Sequence, residues 1–132
     1  MKSLIVEDDQ ISSQVLEKMI SRYGSSDVAA DGQKALDLFR QALESGRPYD
    51  LVFMDIMIPE IDGLQTVLAM RQLETSRALS LSQRVKVIMT SALDDPRTIM
   101  KALYESDASS YLVKPIRMQA VEAELRALKL VS

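Results

Sequence analysis

Short, continuous apolar runs punctuate this chain: Ser3-Leu4-Ile5-Val6, Leu51-Val52-Phe53-Met54, Val85-Lys86-Val87-Ile88-Met89 and Tyr111-Leu112-Val113, with a weaker run at Val28-Ala29-Ala30. Runs of this length with little polar alternation predict strands buried on both faces, as in a parallel sheet. Between them the apolar spacing is helical. Ile11, Val15, Leu16, Met19, Ile20 and Tyr23 predict a helix over 11–23, stopped by Gly24. Asp31 is a candidate N-cap for a second helix through Ala35, Leu36, Leu38, Phe39, Ala42 and Leu43, ended by Gly46-Arg47-Pro48. A loop at 59–63 precedes a third helix carrying Leu64, Val67, Leu68, Met70 and Arg71, and the polar stretch 73–84 predicts a helix end and a loop. Asp94-Asp95-Pro96 opens a fourth helix reaching about 104, with Pro96 in its first turn, and a fifth covers 118–128 after Pro115. The alternation is (βα)₅. It predicts one α/β domain over 1–132, a five-stranded parallel sheet with helices on both faces.

Composition narrows what such a domain can do. A length of 132 residues suits one domain with a full core, and 47% hydrophobic with 27% charged residues is ordinary for a globular chain. The net charge of −3 gives no sign of a nucleic-acid or anionic-membrane partner, and no apolar run approaches a membrane span, so a cytoplasmic protein is the default expectation. Cysteine and histidine are both absent. Disulfides, thiolate metal sites, zinc–imidazole sites and a Ser-His-Asp triad are therefore excluded. Carboxylates, lysine, hydroxyls and a hard metal must carry any chemistry, and any phosphohistidine must come from another protein.

Each strong apolar run turns polar at its C-terminal end. The first is followed by Glu7-Asp8-Asp9, the third by Asp55, the fourth by Thr90-Ser91 and the fifth by Lys114-Pro115. In a parallel sheet these ends share one edge, the edge where ligands bind. Carboxylates gathered there repel one another, so protons or a cation must balance them. Oxygen ligands without His or Cys favour Mg²⁺, which takes phosphate oxygens readily, and a lysine and a hydroxyl beside it suit a phosphoryl group. The set predicts metal-assisted phosphoryl transfer with an aspartate as nucleophile.

Four blocks carry a family resemblance: Leu4-Ile5-Val6-Glu7-Asp8-Asp9, Met54-Asp55-Ile56-Met57-Ile58-Pro59-Glu60-Ile61-Asp62-Gly63, Val87-Ile88-Met89-Thr90-Ser91-Ala92-Leu93 and Tyr111-Leu112-Val113-Lys114-Pro115. Over essentially its whole length the sequence resembles the receiver domain of two-component response regulators, here of the stand-alone, single-domain type. The resemblance implies a flavodoxin-like fold with strand order 2-1-3-4-5. It implies that Asp55 accepts a phosphoryl group from a phosphohistidine, with Mg²⁺ held by Asp8, by Glu7 through water, by Asp55 and by the backbone carbonyl of Met57. Ser91 matches the hydroxyl that bonds the phosphoryl group, and Lys114 the lysine that pairs with it. Tyr111 matches the aromatic that turns inward as Ser91 moves, and the Lys114–Pro115 bond is expected to be cis. Thr90 rivals Ser91, which is preferred because the small Ala92 follows it. The segment between Gly63 and Val85 is longer than the family leads one to expect, which bears on partner surfaces rather than chemistry.

The implied function is a phosphorylation-activated switch, not an enzyme apart from accepting its phosphoryl group and losing it again. The implied partners are a histidine kinase or histidine phosphotransfer protein and a downstream protein effector met through 96–128. Monomer and phosphorylation-dependent homodimer are equally open. A Mg²⁺-dependent phosphatase is the alternative, but Met57 stands where such enzymes commonly carry a second acid. A flavin module is disfavoured by the acidic first loop, and a non-phosphorylated pseudo-receiver by the retained site residues. The apolar arc of the first helix spans about 180° at 3.6 residues per turn. Either it is a broad core stripe, or Ile11 and Val15 at its edge contact a helical phosphodonor together with Ile116. The eight methionines are expected to fill the core, and Asp9 and Asp62-Gly63 to serve as cap and turn.

Overall fold

A computed structural model describes residues 1–57, 62–92, 96–105 and 107–132. Its strands are β1 (Lys2–Val6), β2 (Ser25–Ala29), β3 (Leu51–Asp55), β4 (Lys86–Ser91) and β5 (Ser110–Val113). Its helices are α1 (Gln10–Ile20), α2 (Gly32–Glu44), α3 (Gly63–Ser76), α4 (Pro96–Glu105) and α5 (Met118–Ala127). The strands form one parallel sheet in the order β2-β1-β3-β4-β5. This is the flavodoxin-like arrangement expected above.

Period-two alternation divides the core into two layers. Leu4, Val6, Val52, Met54, Val87 and Met89 point to one face and pack against Ala35, Leu36 and Phe39 of α2, Val67 and Met70 of α3 and Ala102 of α4. Ile5, Leu51, Phe53, Ile88 and Leu112 point to the other face and meet Leu16 and Ile20 of α1 and Val121 and Leu125 of α5. All five residues of β3 are buried, as a central strand with helices on both sides requires. The edge strand β2 is mostly exposed, with only Ala29 buried, so its sequence Ser25-Ser26-Asp27 is polar.

Caps begin the helices as the acids predict. Asp9, Asp31 and Asp62 accept from the backbone N–H of Ile11, Lys34 and Gln65. Residues 58–61 of the third-helix loop and Asp94-Asp95 before α4 lie outside the described residues. The first helix is shorter than its apolar pattern suggests, because 21–23 tighten into a 3₁₀ turn. Ile11 and Val15 lie outside the core, with Ile11 72% exposed. Methionine is not uniformly core filler: Met54, Met70 and Met89 are buried, whereas Met57 and Met100 are exposed.

The helix α3 ends at Ser76, within the stretch 73–84 where the sequence suggested a helix end and a loop. Its inward face continues Val67, Met70 and then Glu74, a buried acid at 1% exposure. Glu74 Oε1 accepts from Arg71 Nη1 at 2.7 Å and Oε2 from the Val85 N–H at 2.7 Å. Arg71 Nη1 also donates to the Val85 carbonyl. The pair thus joins the end of α3 to the approach to β4. Breaking a buried pair by removing one partner strands the other, at about 3 kcal/mol. Glu74→Ala is expected to lose about that much stability in a urea titration, and a loss no larger than that of an exposed substitution would show the pair to be immaterial.

Candidate functional site

The strand order places the ends of β1, β3, β4 and β5 side by side. The backbone ladder runs one residue past β1, β3 and β5: Glu7 N–H bonds Ala29 O at 3.0 Å, Ile56 N–H bonds Thr90 O at 3.0 Å, and Lys114 N–H bonds Ser91 O at 2.8 Å. Continuing the alternation, Glu7, Asp55, Thr90 and Lys114 fall on the face that carries α1 and α5. Ser91 and Tyr111 fall on the face that carries α2, α3 and α4, where Tyr111 packs against the core.

Three of the expected residues meet directly. Lys114 Nζ donates to Glu7 Oε2 at 2.8 Å and to Asp55 Oδ2 at 3.0 Å. The other Asp55 oxygen, Oδ1, accepts from the Met57 N–H at 3.0 Å. Glu7 Oε1 accepts from the Asp9 N–H at 3.3 Å. Asp8 is exposed, and it offers a carboxylate oxygen that lies with those of Glu7 and Asp55 within 4.8 Å of one another. The Lys114–Pro115 peptide bond is cis. Ser91 and Thr90 are both buried: Thr90 pairs in register with Asp55, and Ser91 closes the strand opposite Val113. The Glu7–Lys114 contact was not foreseen, since a water-linked metal role for Glu7 carried no expectation of a direct ion pair.

Gly63 has a larger part than turn chemistry. A Cβ there would overlap the carbonyl oxygen of Asp55 and press on the Ile56 backbone, and the Gly63 N–H bonds Ile56 O at 2.9 Å. Only a residue without a side chain lets α3 begin this close to β3. The aspartate and the helix start are thereby locked together.

Electrostatics follow from burial and charge. Burial pushes the Glu7 carboxyl above its usual range, assisted by the neighbouring Asp55 and opposed by Lys114. Burial alone would lower the Lys114 ammonium, but its bonds to Glu7 and Asp55 outweigh that and raise it. Three carboxylates face one ammonium, so the cluster has room for further positive charge. Its donors are all hard oxygens, which fits Mg²⁺ and not a thiophilic metal.

With this geometry in view, the family is clear. The sequence matches the response regulator receiver domain family over residues 3–126, and the chain belongs to it. Receiver domains are phosphorylation-activated switches of two-component signalling rather than enzymes, and they bind Mg²⁺ at an acidic pocket. Among curated relatives, the probable transcriptional regulator ycf27 of Guillardia theta is 35% identical over 127 residues, covering 96% of this chain and 44% of that protein. The osmosensing histidine protein kinase SLN1 of Saccharomyces cerevisiae is 30% identical over 118 residues, covering 88% of this chain and 9% of that protein. The chain thus spans less than half the length of these relatives. Among solved structures, the signal receiver domain of an HD domain-containing protein from Pseudomonas fluorescens superposes with a TM-score of 0.76 at 27% identity, covering 96% of this chain and 91% of that one. The CheX–CheY complex of Borrelia burgdorferi with BeF₃ and Mg²⁺ gives 0.83 at 24% identity over 100% of this chain and 90% of that one, a likeness of fold.

The lysine's two bonds make one consequence testable. Replacing Lys114 removes the contact that lowers the Glu7 titration and leaves burial and Asp55 acting alone. In Lys114→Met the Glu7 carboxyl is expected to titrate still higher than in the parent, read from its side-chain ¹³C shift against pH. An unchanged or lower midpoint would contradict the assigned pairing.

Proposed function

We propose that Asp55 is the phosphoacceptor of this receiver domain. The observation that carries the reading is the Lys114 ammonium shared between Glu7 and Asp55 inside a cluster of three carboxylates. An Asp55 carboxylate oxygen forms a bond to phosphorus as the phosphorus–nitrogen bond of a partner's phosphohistidine breaks, leaving the histidine on the donor. Lys114 then pairs with a phosphoryl oxygen. Mg²⁺, held by Glu7, Asp8, Asp55 and the Met57 carbonyl, would neutralise charge on the transferred group. Attack by water later returns inorganic phosphate and resets the domain. This activity belongs in the cytoplasm, where phosphohistidine donors are made.

Ser91 is the hydroxyl we assign to the phosphoryl group. It closes β4, small Ala92 follows it, and by strand alternation it shares a face with Tyr111. A shift of Ser91 toward the phosphate vacates space on the α4 side, into which Tyr111 turns. The effector is a protein that distinguishes the two arrangements of α4, β5 and α5.

The donor docks beside α1. Ile11, Val15, Leu16, Met19, Pro115 and Ile116 line an apolar cavity of about 470 Å³ that Lys114 also borders, so it opens next to the reacting group. A helical phosphodonor laying an apolar face there would bring its phosphohistidine to the edge of the sheet.

Incubation with Mg²⁺ and a small acyl-phosphate donor should add one labile phosphoryl group, seen by intact mass, and lose it in Asp55→Asn or with a chelator. An adduct that persists in Asp55→Asn overturns the assignment. Docking has its own measurement. Ile11→Asp should slow transfer from a protein donor by about tenfold while labelling by the small donor continues at the parent rate. Equal rates from the protein donor would place docking elsewhere.

A further inference from the structure

The pole opposite Asp55, at the N-terminal ends of the strands, carries a feature that phosphoryl transfer does not use. The segment that joins α3 to β4 folds back through a 3₁₀ turn at Leu81–Gln83, where the Gln83 side chain reaches back to accept from the Ser80 N–H at 2.9 Å. Two adjoining cavities flank its end and share Arg84 and Lys86 as wall residues. The larger, about 540 Å³, is walled by apolar Leu43, Leu79 and Leu130, by the ring of Tyr49, and by Arg77. The smaller, about 290 Å³, is walled by Arg71, Leu81 and Asp107.

The cationic groups here are incompletely matched. Arg71 Nε and Arg84 Nε are buried donors with no hydrogen-bond acceptor among the described residues. The Asp107 carboxylate stands 3.9 Å from Arg71 Nε, too far to accept, and is itself exposed. Glu74 is already engaged with Arg71 Nη1 and Val85. Asp50, on the larger wall, accepts from the Lys2 N–H, and Arg77 is paired with Glu44 at 3.7 Å. Lys86 makes no ion pair among the described residues. A buried guanidinium donor without an acceptor is costly, so an incoming oxyanion would be rewarded at this point more than at an ordinary surface cation. An apolar wall around a few convergent polar groups, in a space of this size, is the make-up of a small-molecule site.

We propose that this cleft binds a small organic anion: its phosphate, sulfonate or carboxylate meets Arg84, Lys86 and Arg71, and its apolar ring-bearing body fills the cavity beside Tyr49. The Tyr49 hydroxyl is committed to Asp27 at 2.7 Å and the Lys2 ammonium lies over its ring at 4.6 Å, so the largely buried residue serves as a wall rather than as a hydrogen-bonding group. The site lies a strand's length, about 17 Å, from the phosphoacceptor edge, and β4 begins at the one and ends at the other.

Anilinonaphthalene sulfonate serves as the probe, with uncharged phenylnaphthylamine and inorganic sulfate as its two halves. Binding is followed by fluorescence and by backbone amide NMR. The sulfonate probe should bind saturably, shift amides of residues 79–86, and bind about tenfold tighter than either half. The Arg84→Gln/Lys86→Gln pair, or Lys86→Gln alone if the pair melts early, should lose most of that advantage. Asp55→Asn should leave it intact. Equal binding of charged and uncharged probes, shifts centred on Ile11 and Ile116, or parent-like affinity in both Arg84 and Lys86 variants would each overturn the proposal.

Discussion

Three carboxylates at the end of one sheet must be held against their own repulsion, and Lys114 bonds the two buried ones, Glu7 and Asp55. Its ammonium reaches from the end of β5 past β4 to the ends of β3 and β1. The arrangement is neither a salt bridge made for stability nor a neutral pocket. It is a shortage of positive charge, three carboxylates facing one ammonium, and it suits the entry of a divalent cation and a phosphoryl group proposed above. Everything beneath it serves to keep those side chains in place. The parallel register aligns the strand ends, the ladder extends one bond beyond β1, β3 and β5, and Gly63 lets a helix start directly behind the aspartate.

Most of this was legible in the sequence because the relevant signals are local. An apolar run that ends in an acid, a hydroxyl or a lysine marks both the strand and the edge it ends on. Capping acids mark the helix starts in the same way. Sheet order was not legible from pattern alone, since no periodicity says which strand lies beside which; it came from the resemblance. The direct Glu7–Lys114 contact was also hidden, because two residues 107 positions apart announce nothing about their separation in space.

The sequence placed the end of α3 within 73–84 but not at a particular residue, for a physical reason. The buried stripe of that helix continues at position 74, but the residue there is Glu, neutralised by Arg71, so the apolar period breaks where the helix does not. The helix then closes through Ala78 in the left-handed region at φ 54°, a place where glycine is the usual sign. Both signals were therefore missing, and nothing in the stretch marked the residue at which the helix stops. In the first helix the sequence left two readings open: Ile11 and Val15 keep the period and are exposed, since an apolar stripe does not reveal by itself whether it meets the sheet.

The polar edge strand β2 has a consequence for how this domain can assemble. An open sheet edge is a template on which a second chain can pair, growing into ordered aggregates, and proteins blunt it with short or charged strands. Ser25, Ser26 and Asp27 do so here, and Asp27 is tethered by Tyr49. Strand-on-strand growth from that side is discouraged. On the β2 side, contacts are thereby left to helices and loops, which can part again where a paired strand would not.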